Sequence, residues 1–155
     1  MMNALLRLFL LFALPFTSQA HESTLQVEDA WVREAPPTAR VLGMFMQLHN
    51  AGSEELVIQG ASSPVCERVE IHRTVIEEGV ARMIPQDELR LAPGQTLSLE
   101  PGSYHLMLIG PNQALRAGDE VGLLIQYDGN HVQRIVAPVR NDRGGEMDHS
   151  HHHHH

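Results

Sequence analysis

The sequence predicts an all-β sandwich, on three observations. Short segments of alternating apolar and polar residues recur along the chain, with the period of half-buried strands. Turn signals separate them at short, fairly even intervals: Asn50-Ala51-Gly52, Glu78-Gly79, Pro93-Gly94, Pro101-Gly102, Gly110-Pro111-Asn112 and Asp128-Gly129-Asn130. No long helical period interrupts the series. The length of 155 residues suits one such domain.

Residues 1–20 read as a cleaved secretory signal, with Arg7 at its start, an apolar run over 8–14 and the small-x-small site Ser18-Gln19-Ala20. The run is shorter than the roughly 20 residues that span a bilayer, so the expectation is an exported, periplasmic domain over 21–140 with no stable membrane insertion. Cleavage after Ala20 makes His21 the first residue. Its free amino group and imidazole together chelate Cu(II), either as an extra site or as the start of a copper-oxidase brace. The plainer reading is a polar terminus.

Residues 25–32 alternate and form the first strand, with Trp31 at the core or its edge. Pro36-Pro37 lies in a loop. Residues 41–49 form the second strand. Met44, Met46 and Leu48 share one face, and Phe45, Gln47 and His49 the other. The Met pair reads as flexible core filler, with copper binding as the alternative. His49 reads as a surface residue beside a turn. Residues 56–59 form a third strand. Cys66 follows a turn-rich link, six residues before His72 and on the same face if the strand stays regular. It is either inert packing, a fifth metal ligand or a redox thiol. Strands over 69–76 and 80–84 close a hairpin on Glu78-Gly79. Short strands at 89–91 and 96–99 lead to Tyr104-His105-Leu106-Met107-Leu108. Residues 121–127 and 131–139 form a last pair, with His131 exposed beside the turn.

The net charge is −8, and every basic residue is Arg; that balance makes nucleic acid an improbable partner. The lone cysteine, Cys66, rules out an internal disulfide. No Ser/His/Asp set, paired Cys or phosphate loop is present, so the chain reads as a binding protein and not an enzyme. It reads as a monomer.

The chemistry concentrates in His72, Met83, His105 and Met107, the pattern H-x10-M-x21-H-x-M. Imidazole and thioether together suit Cu(I) better than zinc, calcium or magnesium. Alternation puts His105 and Met107 on one face of their strand, with Tyr104, Leu106 and Leu108 pointing to the core. The hairpin register sets Thr74 opposite Met83 and His72 opposite Pro85. His72 and Met83 are then diagonal neighbours, roughly 7–8 Å apart at Cα. All four side chains therefore point away from the main core.

These residues and their flanks resemble the periplasmic copper chaperone family called PCuAC. The similar phrases are Ala30-Trp31-Val32-Arg33, Asn50-Ala51-Gly52, Ala61-Ser62-Ser63-Pro64-Val65, Val69-Glu70-Ile71-His72 and Pro101-Gly102-Ser103-Tyr104-His105-Leu106-Met107. The resemblance spans residues 25–140. It implies a cupredoxin-like, immunoglobulin-like Greek-key sandwich. It also implies delivery of Cu(I) to the copper-site subunit of cytochrome c oxidase, directly or with a Sco-type thiol copper protein. The alternatives are periplasmic copper buffering, the His21 oxidase and a metal-free interaction module. The tail over 141–155 carries Met147, His149, His151, His152, His153, His154 and His155. It is expected to be disordered. It is either a natural His-rich tract that holds Cu(II) or delivers copper to the folded site, or a purification tag.

Overall fold

The computed structural model describes residues 24–141. The leader, His21 and the tail residues Met147, His149 and 151–155 lie outside the described residues.

Ten strands follow one another: β1 (Leu25–Arg33), β2 (Val41–Asn50), β3 (Leu56–Ser62), β4 (Cys66–Glu77), β5 (Val80–Gln86), β6 (Leu89–Leu91), β7 (Thr96–Leu99), β8 (Tyr104–Pro111), β9 (Glu120–Tyr127) and β10 (His131–Arg140). Among the described residues there is no helix. The strands are paired in the order β5-β4-β8-β7-β2-β1-β10-β9-β3-β6. A short parallel contact, Val32 with Val139 and Arg33 with Arg140, joins the two halves of this order. The rolled sheet becomes a sandwich because both halves turn an apolar face to one core. Met44, Met46, Leu48, Ile71, Leu106 and Leu108 come from one half, and Ile58, Val121, Leu123, Ile125, Ala137 and Val139 from the other. Alternation with period two makes this possible, since each strand sends every second side chain inward. The expectation of an all-β sandwich holds.

The hairpin of β4 and β5 has the register read from its turn. Glu77 pairs with Val80, Thr74 with Met83 and His72 with Pro85. Glu78 and Gly79 both have positive φ, 53° and 79°, as a two-residue type I′ turn requires. Among the described residues β5 lies at the edge of the sheet, with β4 as its only strand neighbour; Pro85 is tolerated in a strand of that kind.

Two irregularities escape the sequence pattern. In β1 the pairing with β2 slips by one residue between Glu28 and Trp31, where Asp29 has φ 50°. Leu25 and Val27 point inward before this bulge and Val32 after it. Trp31 is thereby turned to the outer face, half-buried, and not into the core. In β4 the ladder with β8 skips Glu67 and Gly110, where Gly110 has φ 65°. The register is the same on both sides of this gap, yet Cys66 packs in the main core, its thiol donating to the Arg68 carbonyl at 3.4 Å. The expected shared face of Cys66 and His72 is not realised. Burial pushes the Cys66 thiol up from its ordinary value, so it stays protonated and unreactive at neutral pH.

β3 and β4 run longer than their hydrophobic alternation indicates, to Ser62 and from Cys66. Their partners β9 and β8 continue the hydrogen-bonded ladder past the apolar residues.

Candidate metal centre

β4 and β8 are antiparallel neighbours, and their register sets His72 directly opposite His105. The two imidazoles stand with ring centroids 6.0 Å apart. Two residues along β8, Met107 occupies the same face, with Glu70 of β4 on one side and Gly43 of β2 on the other. Met83 comes from β5, opposite Thr74. Met83, His105 and Met107 line one cleft of ≈ 280 Å³, together with Arg33, Phe45 and Thr74. The structure thus draws three of the four singled-out residues into one cleft. The fourth, His72, adjoins it through His105.

The outer face is not the open surface that alternation suggests. His105 is only 4% exposed. Its cover is a second, small apolar layer. Trp31 and Phe45 pack with centroids 4.8 Å apart, and the Arg33 guanidinium lies 5.2 Å from the Phe45 ring. The bulge at Asp29 places Trp31 in this layer. Gly43 allows Phe45 to lie close to β2, since a Cβ there would be 3.0 Å from the Phe45 ring edge. Met83 has no such cover and is 58% exposed.

The hydrogen bonds of the imidazoles fix which nitrogen is available. His72 Nε2–H donates to the Glu70 carboxylate at 2.8 Å. His105 Nδ1–H donates to the Ser103 carbonyl at 3.1 Å. His72 Nδ1 and His105 Nε2 are both buried with no hydrogen-bond partner. These tautomers are assigned from the network. An unpartnered buried polar atom costs about 1–3 kcal/mol, so two of them on one sheet face are an uncompensated arrangement that a bound cation would relieve.

Glu70 is itself held. The Arg68 guanidinium donates to it at 2.7 Å. Arg68 first, then His72, keep its carboxyl below the ordinary carboxylate range. The sign follows from the lowered pKa. The contribution of this chain of bonds is present above the unfolded carboxylate pKa and is lost as pH falls through the folded one. At neutral pH Glu70 is ionised and orients His72, as a carboxylate behind a ligating imidazole does.

Among the described residues no three His, Cys, Asp or Glu side chains are grouped to hold an ion. A cation in this cleft therefore draws on thioether sulfur, which selects soft ions. Among the described residues the remaining histidines and methionines lie elsewhere. Met44 and Met46 are core residues, 0% and 2% exposed. His49 bonds to Thr96 at 3.0 Å and His131 stacks on Tyr127.

Sequence reasoning missed Arg33, Gly43, Phe45 and Glu70. Glu70 was discoverable, since it precedes His72 by two residues and shares its face. Arg33 and Phe45 were not, because their approach to the site depends on the bulge in β1 and on the β2–β8 pairing.

A family model described as "Putative lipoprotein LpqE-like" matches residues 25–139. A protein of Leifsonia xyli subsp. xyli named "Putative lipoprotein Lxx21020" is 29% identical over 121 residues, 77% of this chain and 72% of its own. The copper-bound PCuAC domain from PmoF2 superposes with a TM-score of 0.66 at 17% identity, covering 77% of this chain and 94% of that one. The Cu(I) form of DR1885 from Deinococcus radiodurans superposes with a TM-score of 0.59 at 24% identity, covering 83% and 88%. The chain belongs to the LpqE-like family, and its fold is the one found in PCuAC domains.

Proposed function

We propose that this chain is a copper-binding chaperone that holds Cu(I) between His72, Met83, His105 and Met107. One observation carries the reading: two buried imidazole nitrogens without partners lie on the sheet face that also presents two methionines. Two neutral imidazoles and two thioethers add no charge to the ion and favour its reduced state. The fold supports the reading, since it is shared with a PCuAC domain whose structure contains copper and with a Cu(I)-loaded protein.

The site also suits transfer. His105 is buried, but Met83 lies on an edge strand and is exposed. A partner that offers thiolates displaces the exposed thioether first and takes the ion stepwise, because thiolate is the stronger soft donor. Such a partner is a Sco-type thiol copper protein or the copper-site subunit of cytochrome c oxidase. The leader at residues 1–20 and the lipoprotein name of the family support export, with the periplasm as the place of action. A deletion strain with defective oxidase assembly and normal copper tolerance is the result that fits delivery. Copper sensitivity with intact oxidase fits buffering instead.

The direct test is Met107→Ala. Competition with a Cu(I) chelator is expected to show affinity weakened at least about tenfold, with the sandwich intact by circular dichroism. Unchanged affinity removes Met107 from the site. Glu70→Ala tests the support of His72. It is expected to weaken Cu(I) binding by about 10–100-fold, the usual cost of losing the group behind a ligating imidazole. Because Glu70 is partly exposed, thermal unfolding of the apo protein should barely move. A large loss of apo stability with normal copper affinity would assign Glu70 a structural role.

A further inference from the structure

We propose that Met83 is a site of reversible oxidation that controls loading: sulfoxidation of the empty protein closes the site, and a bound ion prevents the reaction. This rests on the copper reading above and adds a regulatory chemistry to the same cleft.

The four described methionines differ sharply in access. Met44 and Met46 are in the core, 0% and 2% exposed, and Met107 is half-buried in the cleft that Phe45 also lines. Met83 is 58% exposed, on an edge strand beside the exposed Val80 and Ile84. A small oxidant therefore meets the Met83 sulfur first. With hypochlorous acid the sulfur lone pair attacks chlorine and displaces hydroxide; water then attacks the chlorosulfonium sulfur and chloride leaves, so that the net products are the sulfoxide, chloride and a proton. Sulfur loses two electrons and chlorine gains them. The sulfoxide is polar and presents a hard oxygen in place of a soft thioether. The remaining three donors hold Cu(I) less tightly.

Occupancy works in the other direction. The lone pair that attacks the oxidant is the one a soft ion would engage. A loaded site withholds it, so loaded protein is spared while empty protein is disabled. Methionine sulfoxide reductases reverse the modification.

The test uses the full chain, a stoichiometric amount of hypochlorous acid, and Ag(I) as a redox-inert stand-in for Cu(I). Mass spectrometry quantifies the peptides carrying Met83, Met107 and the Met44/Met46 pair separately. Met83 is expected to oxidise at least about fivefold faster than the other three, following exposure, and Ag(I) to suppress it. Protein purified with a sulfoxide at Met83 alone should bind Cu(I) at least about tenfold more weakly, recover on treatment with the reductases, and match Met83→Leu. Equal oxidation of Met107, no protection by Ag(I), or unchanged affinity of the sulfoxide each overturns the proposal. A protein carrying both His72→Ala and His105→Leu separates the two claims. If it binds Cu(I) as the parent does, the copper reading itself falls. If binding needs the histidines but ignores the Met83 sulfoxide, only the oxidation proposal falls.

Discussion

His105→Leu should abolish useful Cu(I) binding while leaving the apo protein as stable as before, or more so. Both halves of this result follow from the same buried nitrogen. His105 Nε2 has no partner in the apo protein, which costs about 1–3 kcal/mol. Leucine of similar volume fills the space beside Phe45 without that cost. The hydrogen bond to Ser103 is lost, but the Ser103 carbonyl also accepts from the Thr74 N–H at 3.0 Å, so no new orphan appears. In the copper-bound protein the balance reverses. Loss of the group behind a ligating imidazole already costs about 10–100-fold in affinity. Loss of the imidazole itself should cost more, about 1,000-fold in all, or about 4 kcal/mol. The measurement is a pair of thermal unfolding curves, without ion and with saturating Cu(I) under a reductant. The parent should gain stability from the ion in proportion to the logarithm of its concentration over Kd; the variant should gain little. Strong destabilisation of the apo variant would mean that His105 is a packing residue, and the unpartnered nitrogen would then lose its functional meaning.

The contrast between what the residues disclose and what they conceal is physical. Period-two alternation is a local property, so the strands, their faces and the hairpin register of Thr74 with Met83 are readable from the chain itself. The pairing of His72 with His105 joins residues 33 apart through β4–β8 neighbours, and only the donor pattern with its flanks hinted at it. Bulges are invisible to alternation, because one extra residue exchanges the two faces without changing composition. That is why Trp31, read as a residue of the core or its edge, lies half-buried on the outer face. The burial of His105 has the same origin: a site that looks exposed by parity is covered once the slip in β1 delivers Trp31 to Phe45.

Asn50→Ala is expected to destabilise the fold by about 3–4 kcal/mol, with Cu(I) affinity unchanged. Asn50 ends β2 and is fully buried. Its amide nitrogen donates to the carbonyls of Glu54 at 2.7 Å and Leu91 at 3.0 Å, and its amide oxygen accepts from the Gly52 N–H at 2.9 Å. Its main chain adds Asn50 N–H to the Gln95 carbonyl and Gly94 N–H to its own carbonyl, both at 2.9 Å. The side chain thus ties the turn after β2 to the end of β6, and the main chain ties both to the turn before β7. Alanine preserves the main-chain bonds but strands two carbonyls and an N–H, each worth about 1–3 kcal/mol if it stays dry; partial hydration of the Glu54 and Gly52 groups keeps the total near the lower end. Against a typical stability of about 5–15 kcal/mol, the thermal midpoint should fall by about 10–15 °C. Asn50→Asp separates hydrogen-bond donation from volume. It keeps the shape and the acceptor for Gly52, but turns a carboxylate oxygen toward the Leu91 and Glu54 carbonyls, so it should cost at least as much as alanine despite its similar volume. If the aspartate were tolerated, volume and not donation would be what matters at this position. The cleft at Gly43 and Met107 lies at the other end of β2, so protein still folded at low temperature should hold Cu(I) as the parent does. A parallel fall in affinity would show that the two ends of the sandwich are coupled.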